Sequence, residues 1–166
     1  TQVVAVALES DASLGILQSR AHSAWSLEQG TQLEDRPRYT PTTCFETFPF
    51  PPASEEARAA ISEAAKTLDE MRTRWLFPAE WIDVIPEVAA GFPDRRVSKE
   101  GHASDLKTRT MTNLYNAPPP WLAQLHQSLD KAVAEAYGWS DFSPEMPDEE
   151  ILRRISLLNT DRSRGA

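Results

Sequence analysis

The 166 residues are enough for one domain with a sizeable core or for two small units, and their 40% hydrophobic and 25% charged content is typical of globular proteins. The formal net charge of −8 argues against a free-standing basic clamp for nucleic acid, because neutralising phosphates needs a concentrated Lys/Arg face, but it leaves room for a local basic patch. The single cysteine, Cys44, excludes an intramolecular disulfide and a cysteine-based metal cage.

The first third of the chain predicts mixed secondary structure. The run VVAVAL, residues 3–8, is short and rich in β-branched residues, which predicts a strand. Apolar residues at helical spacing predict a helix over 11–29 that ends at Gly30. Residues 31–41 predict a loop, and residues 42–50 predict an edge strand because prolines cannot donate ladder hydrogen bonds.

The rest of the chain predicts helices separated by loops. The clearest helix follows the N-cap Ser54 and carries an apolar stripe that favours bundle packing over a coiled coil. The stripe consists of Ala57, Ile61, Ala64, Leu68, Met71 and Trp75. The other predicted elements are a short helix over 79–85, a polar loop over 97–113, a helix over 121–137 that Gly138 ends, and a last helix over 148–158.

These elements predict a mainly α fold, a helical bundle with a small α/β N-terminal part. The division falls into a front part, residues 1–52, and a helical rear part, residues 53–166, with the proline-rich stretch between them. Phe45, Phe48 and Phe50 lie in that stretch, and we expect all three to be buried and to fasten the two parts together. In an extended strand, Phe48 and Phe50 would share one face and Phe45 would take the other.

The sequence contains no recognisable catalytic or phosphate-binding motif. There is no GxGxxG, no GxxxxGK[ST] and no HExxH, and His22, His102 and His126 are far apart along the chain. Cys44 lies among bulky apolar residues, so a buried inert thiol is the favoured interpretation over a nucleophile. Pairs of acidic residues fall on amphipathic helices and indicate solvated faces. We therefore expect no catalytic residue, no cofactor site and no metal site in this chain.

Two polar clusters are the candidates for contacting DNA, because Arg, Thr, Asn and Tyr on loops are the residue types that bind phosphates and base edges. The candidates are Arg36, Arg38, Tyr39, Thr40, Thr42 and Thr43 in the first cluster, and Lys107, Arg109 and Asn113 in the second. An alternative for the first cluster is that its arginines only pair with Glu34 and Asp35. For the second cluster, a purely structural role is the favoured interpretation.

Three segments resemble the C-terminal part of MmeI-like type IIG/IIL DNA methyltransferases of restriction–modification systems. The resemblance covers essentially the whole chain, in the right order. The segments are GILQSRAHSAWSLEQGTQLEDRPRYTPTTCFETFPFP, RTMTNLYNAPPPWLAQLHQSLDKAVAEAYGW and DEEILRRISLLN. The resemblance implies that residues 1–52 end a target-recognition domain and that residues 53–166 form the C-terminal helical domain.

The same resemblance implies an activity for the parent protein. Members of the family are adenine-N6 methyltransferases that use S-adenosylmethionine, often with a nuclease domain upstream, and related proteins act in phage defence. The family's Asn-Pro-Pro-Tyr tetrapeptide and its cofactor-binding glycine motif are absent here. The implied function is a non-catalytic DNA-recognition or clamp fragment, with no cofactor of its own. Its implied partners are double-stranded DNA and the upstream methyltransferase domain of the same chain.

Two other functions remain open at this stage. The helical part could be a protein–protein docking module without direct DNA contact, and a small self-contained enzyme is a weaker third possibility. No apolar run approaches the roughly 20 residues of a membrane span, and the opening residues lack a basic region ahead of the apolar run, so they do not indicate a signal peptide. We therefore expect a cytoplasmic protein with no membrane partner, cut from a longer chain.

Overall fold

The computed structural model describes residues 4–33, 36–89 and 91–164, and it describes only the backbone of residues 32, 33, 36 and 161–164. The helices are α1 (Asp11–Gln18), α2 (Arg20–Gln29), α3 (Glu55–Leu76), α4 (Ala103–Thr108), α5 (Met111–Asn116), α6 (Pro120–Ala136) and α7 (Asp148–Arg164). The strands are β1 (Thr31–Leu33), β2 (Arg36–Arg38), β3 (Ile82–Ile85) and β4 (Arg95–Ser98). The chain forms two compact units: unit 1 comprises Thr1–Lys66 and His126–Ala166, and unit 2 comprises Thr67–Leu125.

Unit 1 is built around a helical core. The helix α3 begins where the Ser54 hydroxyl accepts a hydrogen bond from the Ala57 amide (3.2 Å), and acidic residues follow in its first turn, as the helix dipole favours. Apolar side chains at helical spacing on several helices then meet in one core. The fully buried members are Ile61, Ala65, Leu129, Val133, Ile151 and Ile155.

Arg20 connects the start of α2 to α6, to the start of α7 and to the segment between these two helices. Its backbone amide donates to Asp130 Oδ1 (2.7 Å), and its Nε donates to Asp148 Oδ1 (2.7 Å). Its two terminal nitrogens donate to the carbonyl oxygens of Pro144 (3.0 Å) and Met146 (2.6 Å). A guanidinium that satisfies several acceptors in one fixed fork holds its surroundings more firmly than an isolated ion pair would.

Gly15 lets α1 pack closely against α3 and α6. A Cβ atom at this position would lie 2.7 Å from Ile61 Cγ2, 3.1 Å from Ala65 Cβ and 3.2 Å from Leu129 Cδ1. The first distance is shorter than carbon atoms tolerate, and the neighbouring side chains are fully buried, so they have little room to move.

We therefore expect Gly15→Ala to destabilise the chain by about 1–3 kcal/mol, although Ala is the better helix former. Urea unfolding monitored by circular dichroism would measure the change. An increase in stability would contradict the close packing of α1, since it would mean that the helix propensity of Ala outweighs the overlap.

Unit 2 contains the β3–β4 hairpin, the short helices α4 and α5, the end of α3 and the start of α6. The guanidinium of Arg109 lies over the rings of Trp75 (4.5 Å) and Trp81 (4.9 Å). Arg72 is only 9% exposed, and its Nη1 donates to the Tyr115 hydroxyl (3.3 Å). Stacked and hydrogen-bonded cations therefore contribute to the packing of this unit, beside the buried side chains of Leu68, Leu114 and Leu122.

The structure corrects the predicted elements at the start of the chain. Residues 4–10 form no regular structure, and no described strand pairs with them, so the predicted strand over 3–8 is wrong for residues 4–8, while residue 3 lies outside the described part. The predicted helix over 11–29 is two helices, because Ser19 adopts an extended conformation between them. The Ser19 side chain donates to Ile16 O (2.7 Å) and caps α2, so both broken ends are satisfied.

The proline-rich stretch is also different from its prediction. The predicted loop over 31–41 contains an antiparallel hairpin, β1–β2, in which Gln32 is opposite Pro37. The predicted edge strand over 42–50 begins with a π-helical turn, Pro41–Phe45, closed by a hydrogen bond from Glu46 N to Pro41 O (3.0 Å). A two-stranded hairpin tolerates proline because each strand is an edge, and nothing among the described residues offers the next segment a strand to join.

The three phenylalanines of this stretch therefore do not alternate between faces. Phe48 is buried, at 4% exposure, as predicted, but Phe45 and Phe50 are only half-buried. The ring of Phe50 makes edge contacts with both Phe45 (6.0 Å between centroids) and Phe48 (5.4 Å). The hydroxyl of Tyr137 donates to Pro49 O (2.8 Å), which fastens the stretch to the end of α6.

In unit 2, the predicted short helix over 79–85 is wrong because β-branched residues there form β3, paired antiparallel with β4. The predicted polar loop over 97–113 contains the end of β4 and the short helices α4 and α5. Each helix has six residues, too few turns to produce a clear hydrophobic period.

The long helices and the fold class are confirmed. Helices α3 and α6 match their predicted positions, Gly138 follows α6 with φ of +77°, and α7 runs six residues beyond the predicted end at 158. The fold is mainly α with small antiparallel hairpins. The division between the two compact units does not fall at residue 52, and the predicted domain boundary there stays a prediction. Within the described part of the chain, no helix combines the length and the apolar character that a membrane span needs.

Candidate nucleic-acid interface

The first polar cluster lies on the β1–β2 hairpin and the π-helical turn that follows it, residues 31–45, which we name the hairpin–turn segment. Thr31 is opposite Arg38 in the antiparallel register, so Arg38 ends β2 at the base of the hairpin. The Arg38 side chain is exposed. The backbone of Arg36 belongs to β2, but its side chain lies outside the described part, as do Glu34 and Asp35. The alternative pairing of the arginines with these acids stays untested.

The base of the hairpin sits directly against the end of α2. Gly30 follows α2 without the left-handed conformation that helix-ending glycines often adopt, since its φ is −70°. This position requires glycine for a steric reason, because a Cβ atom here would lie 2.6 Å from Ser26 O and 2.9 Å from Arg38 O. The backbone carbonyl of Arg38 is thereby held within a short distance of the helix.

Cys44 anchors the other side of the same segment. Its side chain is fully buried, and its Sγ accepts a hydrogen bond from Thr40 N (3.4 Å) and donates to Ser26 O (3.6 Å). The Thr40 carbonyl in turn accepts from the amides of Thr43 (3.1 Å) and Cys44 (2.8 Å). This thiol is a structural anchor, in agreement with the sequence-based interpretation, because it is buried and no described histidine or carboxylate is bonded to it.

Tyr39 connects the segment to α2 through its hydroxyl. The Tyr39 Oη atom lies 3.0 Å from His22 Nε2, and the two rings are 5.8 Å apart. His22 is 4% exposed, and burial lowers its pKa from 6.5 to about 4, so the imidazole is neutral at physiological pH. Burial, and the nearby Cys44, raise the pKa of the Tyr39 phenol, so it keeps its proton.

The threonines of the cluster divide into structural and exposed ones. The hydroxyls of Thr40 and Thr31 are 3.4 Å apart, and the Thr43 hydroxyl donates to Thr40 O at 3.4 Å, so these side chains shape the turn. Thr42 is exposed. The outer surface of the segment therefore presents Arg38 and Thr42, while the remaining described members of the cluster hold its shape.

The second polar cluster belongs to unit 2 and is largely occupied with that unit's own packing. Arg109 is half-buried against its two tryptophans, and Asn113 Nδ2 donates to Thr108 O (2.7 Å). Thr110 caps α5, because its Oγ1 atom accepts a hydrogen bond from the backbone amide of Asn113 (3.1 Å). Lys107 is exposed. These contacts agree with the structural role that the sequence favoured, and a DNA contact at this cluster stays a prediction.

Sequence reasoning missed the part of His22 in this site, since it noted only that the three histidines are far apart along the chain. One signal was present in the helical spacing. His22 lies three residues before Trp25, which is 3% exposed, so both side chains share the buried face of α2. The hydrogen bond to Tyr39, by contrast, joins residues 17 positions apart and required the structure.

The described residues form none of the strand–turn–helix units with which doubly wound folds bind nucleotide cofactors. The described strands form only two antiparallel two-stranded sheets, and none of them is followed directly by a glycine-rich turn that opens a helix. The space beside Gly15 and Gly30 is occupied by neighbouring atoms, and the other described glycines lie in turns. The arrangement can instead present a guanidinium and hydroxyls on a firmly held segment, which suits binding to phosphate or to base edges.

Comparison with known proteins gives three similarities. Residues 1–52 match the family model described as the MmeI target recognition domain. The chain is 26% identical over 151 residues to DNA methyltransferase A of Bacillus subtilis (strain 168), and the aligned region covers 90% of this chain and 14% of that protein. A solved structure of the type IIL restriction–modification enzyme MmeI in complex with DNA has a similar fold, with a TM-score of 0.64 and 24% identity.

The structural match covers 93% of this chain but only 16% of the MmeI chain. This chain therefore spans only a small part of the length of either relative. The family match falls on the residues that carry the hairpin–turn segment. The resemblance seen in the sequence is therefore confirmed: this chain is similar, through residues 1–52 in sequence and over nearly its whole length in fold, to an MmeI-like restriction–modification enzyme.

Proposed function

We propose that this chain is a non-catalytic DNA-recognition or clamp part of a DNA adenine-N6 methyltransferase of a restriction–modification or phage-defence system. The observation that carries the proposal is the hairpin–turn segment, an exposed arginine on a short hairpin fixed to a helix by Gly30 and Cys44. It lies within the residues matched by a target recognition domain. A firmly held backbone gives DNA contacts their register and orientation.

The chemistry of Arg38 suits either a phosphate or the major-groove edge of guanine, both of which accept hydrogen bonds in a geometry that a guanidinium matches. The acidic composition is compatible with this role. A helical scaffold that follows a larger enzyme needs no overall positive field, because only the surface facing DNA has to be basic. Thr42, also exposed in the hairpin–turn segment, adds a hydroxyl for a phosphate oxygen.

Methyl transfer then belongs to another part of the same protein. S-adenosylmethionine would supply the methyl group in an upstream methyltransferase domain, and that domain would be this chain's partner. Cytoplasmic location and double-stranded DNA as the ligand are part of the same proposal. The 26% identical relative is itself named a DNA methyltransferase, which supports this division of labour.

Replacing Arg36 and Arg38 together by Ala in the intact protein tests the proposal. We expect weaker binding to duplex DNA and a salt dependence of log affinity that is flatter by about one unit for each lost phosphate contact. Fluorescence anisotropy across a range of salt concentrations would measure both. Arg74→Ala is the matched control, since Arg74 is an exposed arginine of unit 2 that pairs with Glu70 (3.6 Å).

The docking-module alternative makes the opposite prediction for the same experiment. If the chain binds only other proteins, the Arg36 and Arg38 double variant keeps both the affinity and the salt slope of the parent. An unchanged slope would therefore remove the hairpin–turn segment from the DNA interface and favour the alternative.

A further inference from the structure

The buried ring of His22 has one hydrogen-bonded nitrogen and one that is not. Its Nε2 atom is 3.0 Å from the Tyr39 hydroxyl oxygen. Its Nδ1 atom is buried from solvent and has no hydrogen-bond partner among the described residues. The ring is packed edge-on against Phe48, with 4.6 Å between centroids.

This asymmetry determines which nitrogen carries the single proton of the neutral ring. If Nδ1 carried it, a buried N–H donor would be left without an acceptor. If Nε2 carries it, the unpaired group is only a lone pair. Buried N–H groups without a partner are rarer in folded proteins than acceptors with an unused lone pair, and leaving a donor unpaired costs its full desolvation. The Nε2–H form is therefore favoured, and His22 donates to Tyr39.

The direction of this hydrogen bond frees the phenol hydrogen of Tyr39. Its oxygen already accepts from His22, and among the described residues no acceptor receives the hydrogen. Tyr39 is half-buried, directly follows Arg38 in the chain, and keeps its proton because burial raises its pKa. The histidine thus orients a neutral donor next to the exposed arginine of the hairpin–turn segment.

We propose that His22 is a positioning residue for DNA binding, which holds the Tyr39 hydroxyl so that it donates its hydrogen to a phosphate oxygen of the duplex. This inference rests on the proposed function, because it assigns a contact at the same surface. It differs from an arginine contact in one measurable respect. A neutral phenol strengthens binding without releasing a counterion, so its loss lowers affinity at every salt concentration and leaves the slope unchanged.

The first experiment examines the ring of His22 in the 166-residue chain without DNA. Nitrogen-15 NMR of the imidazole distinguishes a protonated ring nitrogen from an unprotonated one. We expect Nε2 to be protonated and Nδ1 to be bare at neutral pH. Protonation at Nδ1 would overturn the inference, because the Tyr39 hydroxyl would then donate to His22 and have no hydrogen left for DNA.

The second experiment measures duplex affinity of the intact protein against salt. We expect Tyr39→Phe to weaken binding by roughly five- to tenfold, in the range for a hydrogen bond to a charged acceptor, with the salt slope unchanged. Tyr137→Phe is the matched control, because its hydroxyl donates to Pro49 O inside the chain, and we expect no change in affinity. His22→Gln, which keeps a side-chain donor, should retain more affinity than His22→Leu.

The outcomes separate this inference from the proposed function. If Tyr39→Phe binds within about twofold of the parent while the Arg36 and Arg38 double variant is weakened, the phenol contact is wrong and the segment still binds DNA. If neither variant changes binding, both ideas fail. Equal affinities of His22→Gln and His22→Leu would remove the positioning role of His22.

Discussion

Replacing Phe48 by Ala should lower the stability of the chain by about 3–5 kcal/mol, the usual cost of truncating a buried phenylalanine. Phe48 is 4% exposed and lies in an aromatic cluster with His22, Trp25 and Phe50, at centroid distances of 4.6, 6.4 and 5.4 Å. A domain of this size is stable by only roughly 5–15 kcal/mol, so the loss is a large share of the total. Differential scanning calorimetry would show a sharply lower Tm.

Phe92→Ala provides the matched control for Phe48→Ala, because the same side chain is truncated at a position that is 70% exposed. We expect its Tm to stay within about two degrees of the parent, as surface substitutions usually do. Limited proteolysis adds a second readout, since loss of the Phe48 ring should open cleavage near residue 52 first. A Phe48→Ala chain that melts with the parent would contradict the burial of this ring.

Acid should destabilise the chain through His22 in a window between about pH 6.5 and pH 4. Burial lowers the pKa of His22 to about 4 in the folded chain, whereas the unfolded chain titrates near 6.5. Within the window, the unfolded state binds a proton that the folded state rejects, so stability falls as the pH falls. The full effect is roughly 3 kcal/mol.

Comparison of the parent with His22→Gln isolates this contribution from other groups. Arg154 lowers the pKa of Asp141 to about 2, and Arg153 and Arg154 lower that of Glu150 to about 2. Burial raises the pKa of Asp130. These carboxyl groups therefore also contribute to the dependence of stability on pH in acid. Those groups are present in both chains. We expect urea unfolding to give a steeper loss of stability from pH 6.5 to 4 in the parent than in the variant. Parallel pH profiles would contradict a buried neutral His22.

The long helices were predictable because each carries its own signals. The Ser54 cap, the acidic first turn and the regular apolar stripe of α3 all agree, and Gly138 marks the end of α6. Such local agreement fixes an element without knowledge of its neighbours. The mainly α class followed from these helices alone.

The elements that were predicted wrongly from the sequence depend on partners elsewhere in the chain. Residues 4–8 have strand-forming side chains but no described strand to pair with, whereas β3 is a strand only because β4 lies ten residues further on. The hairpin β1–β2 was not predicted because Pro37, which lies in β2, is a residue type that indicates a loop. Three-residue strands are too short for alternation to be visible.

The candidate site shows the same limit. Arg38 and the threonines were identified from residue type, but no sequence pattern indicated that Tyr39 would bond to His22 or that Cys44 would bond to Ser26 at the end of α2. These contacts link positions separated by a helix end and a hairpin, and they determine which side chains face outward. Residue type therefore predicted the chemistry of the surface, and packing decided its arrangement.

The central claim is that the hairpin–turn segment, residues 31–45, contacts DNA. Hydrogen–deuterium exchange of the intact protein, with and without duplex DNA containing its recognition site, tests it most directly. The account predicts slower exchange of the backbone amides of this segment on DNA binding, with no change at the β3–β4 hairpin. Protection confined to other parts of the chain, with the hairpin–turn segment exchanging at the same rate in both states, would contradict it.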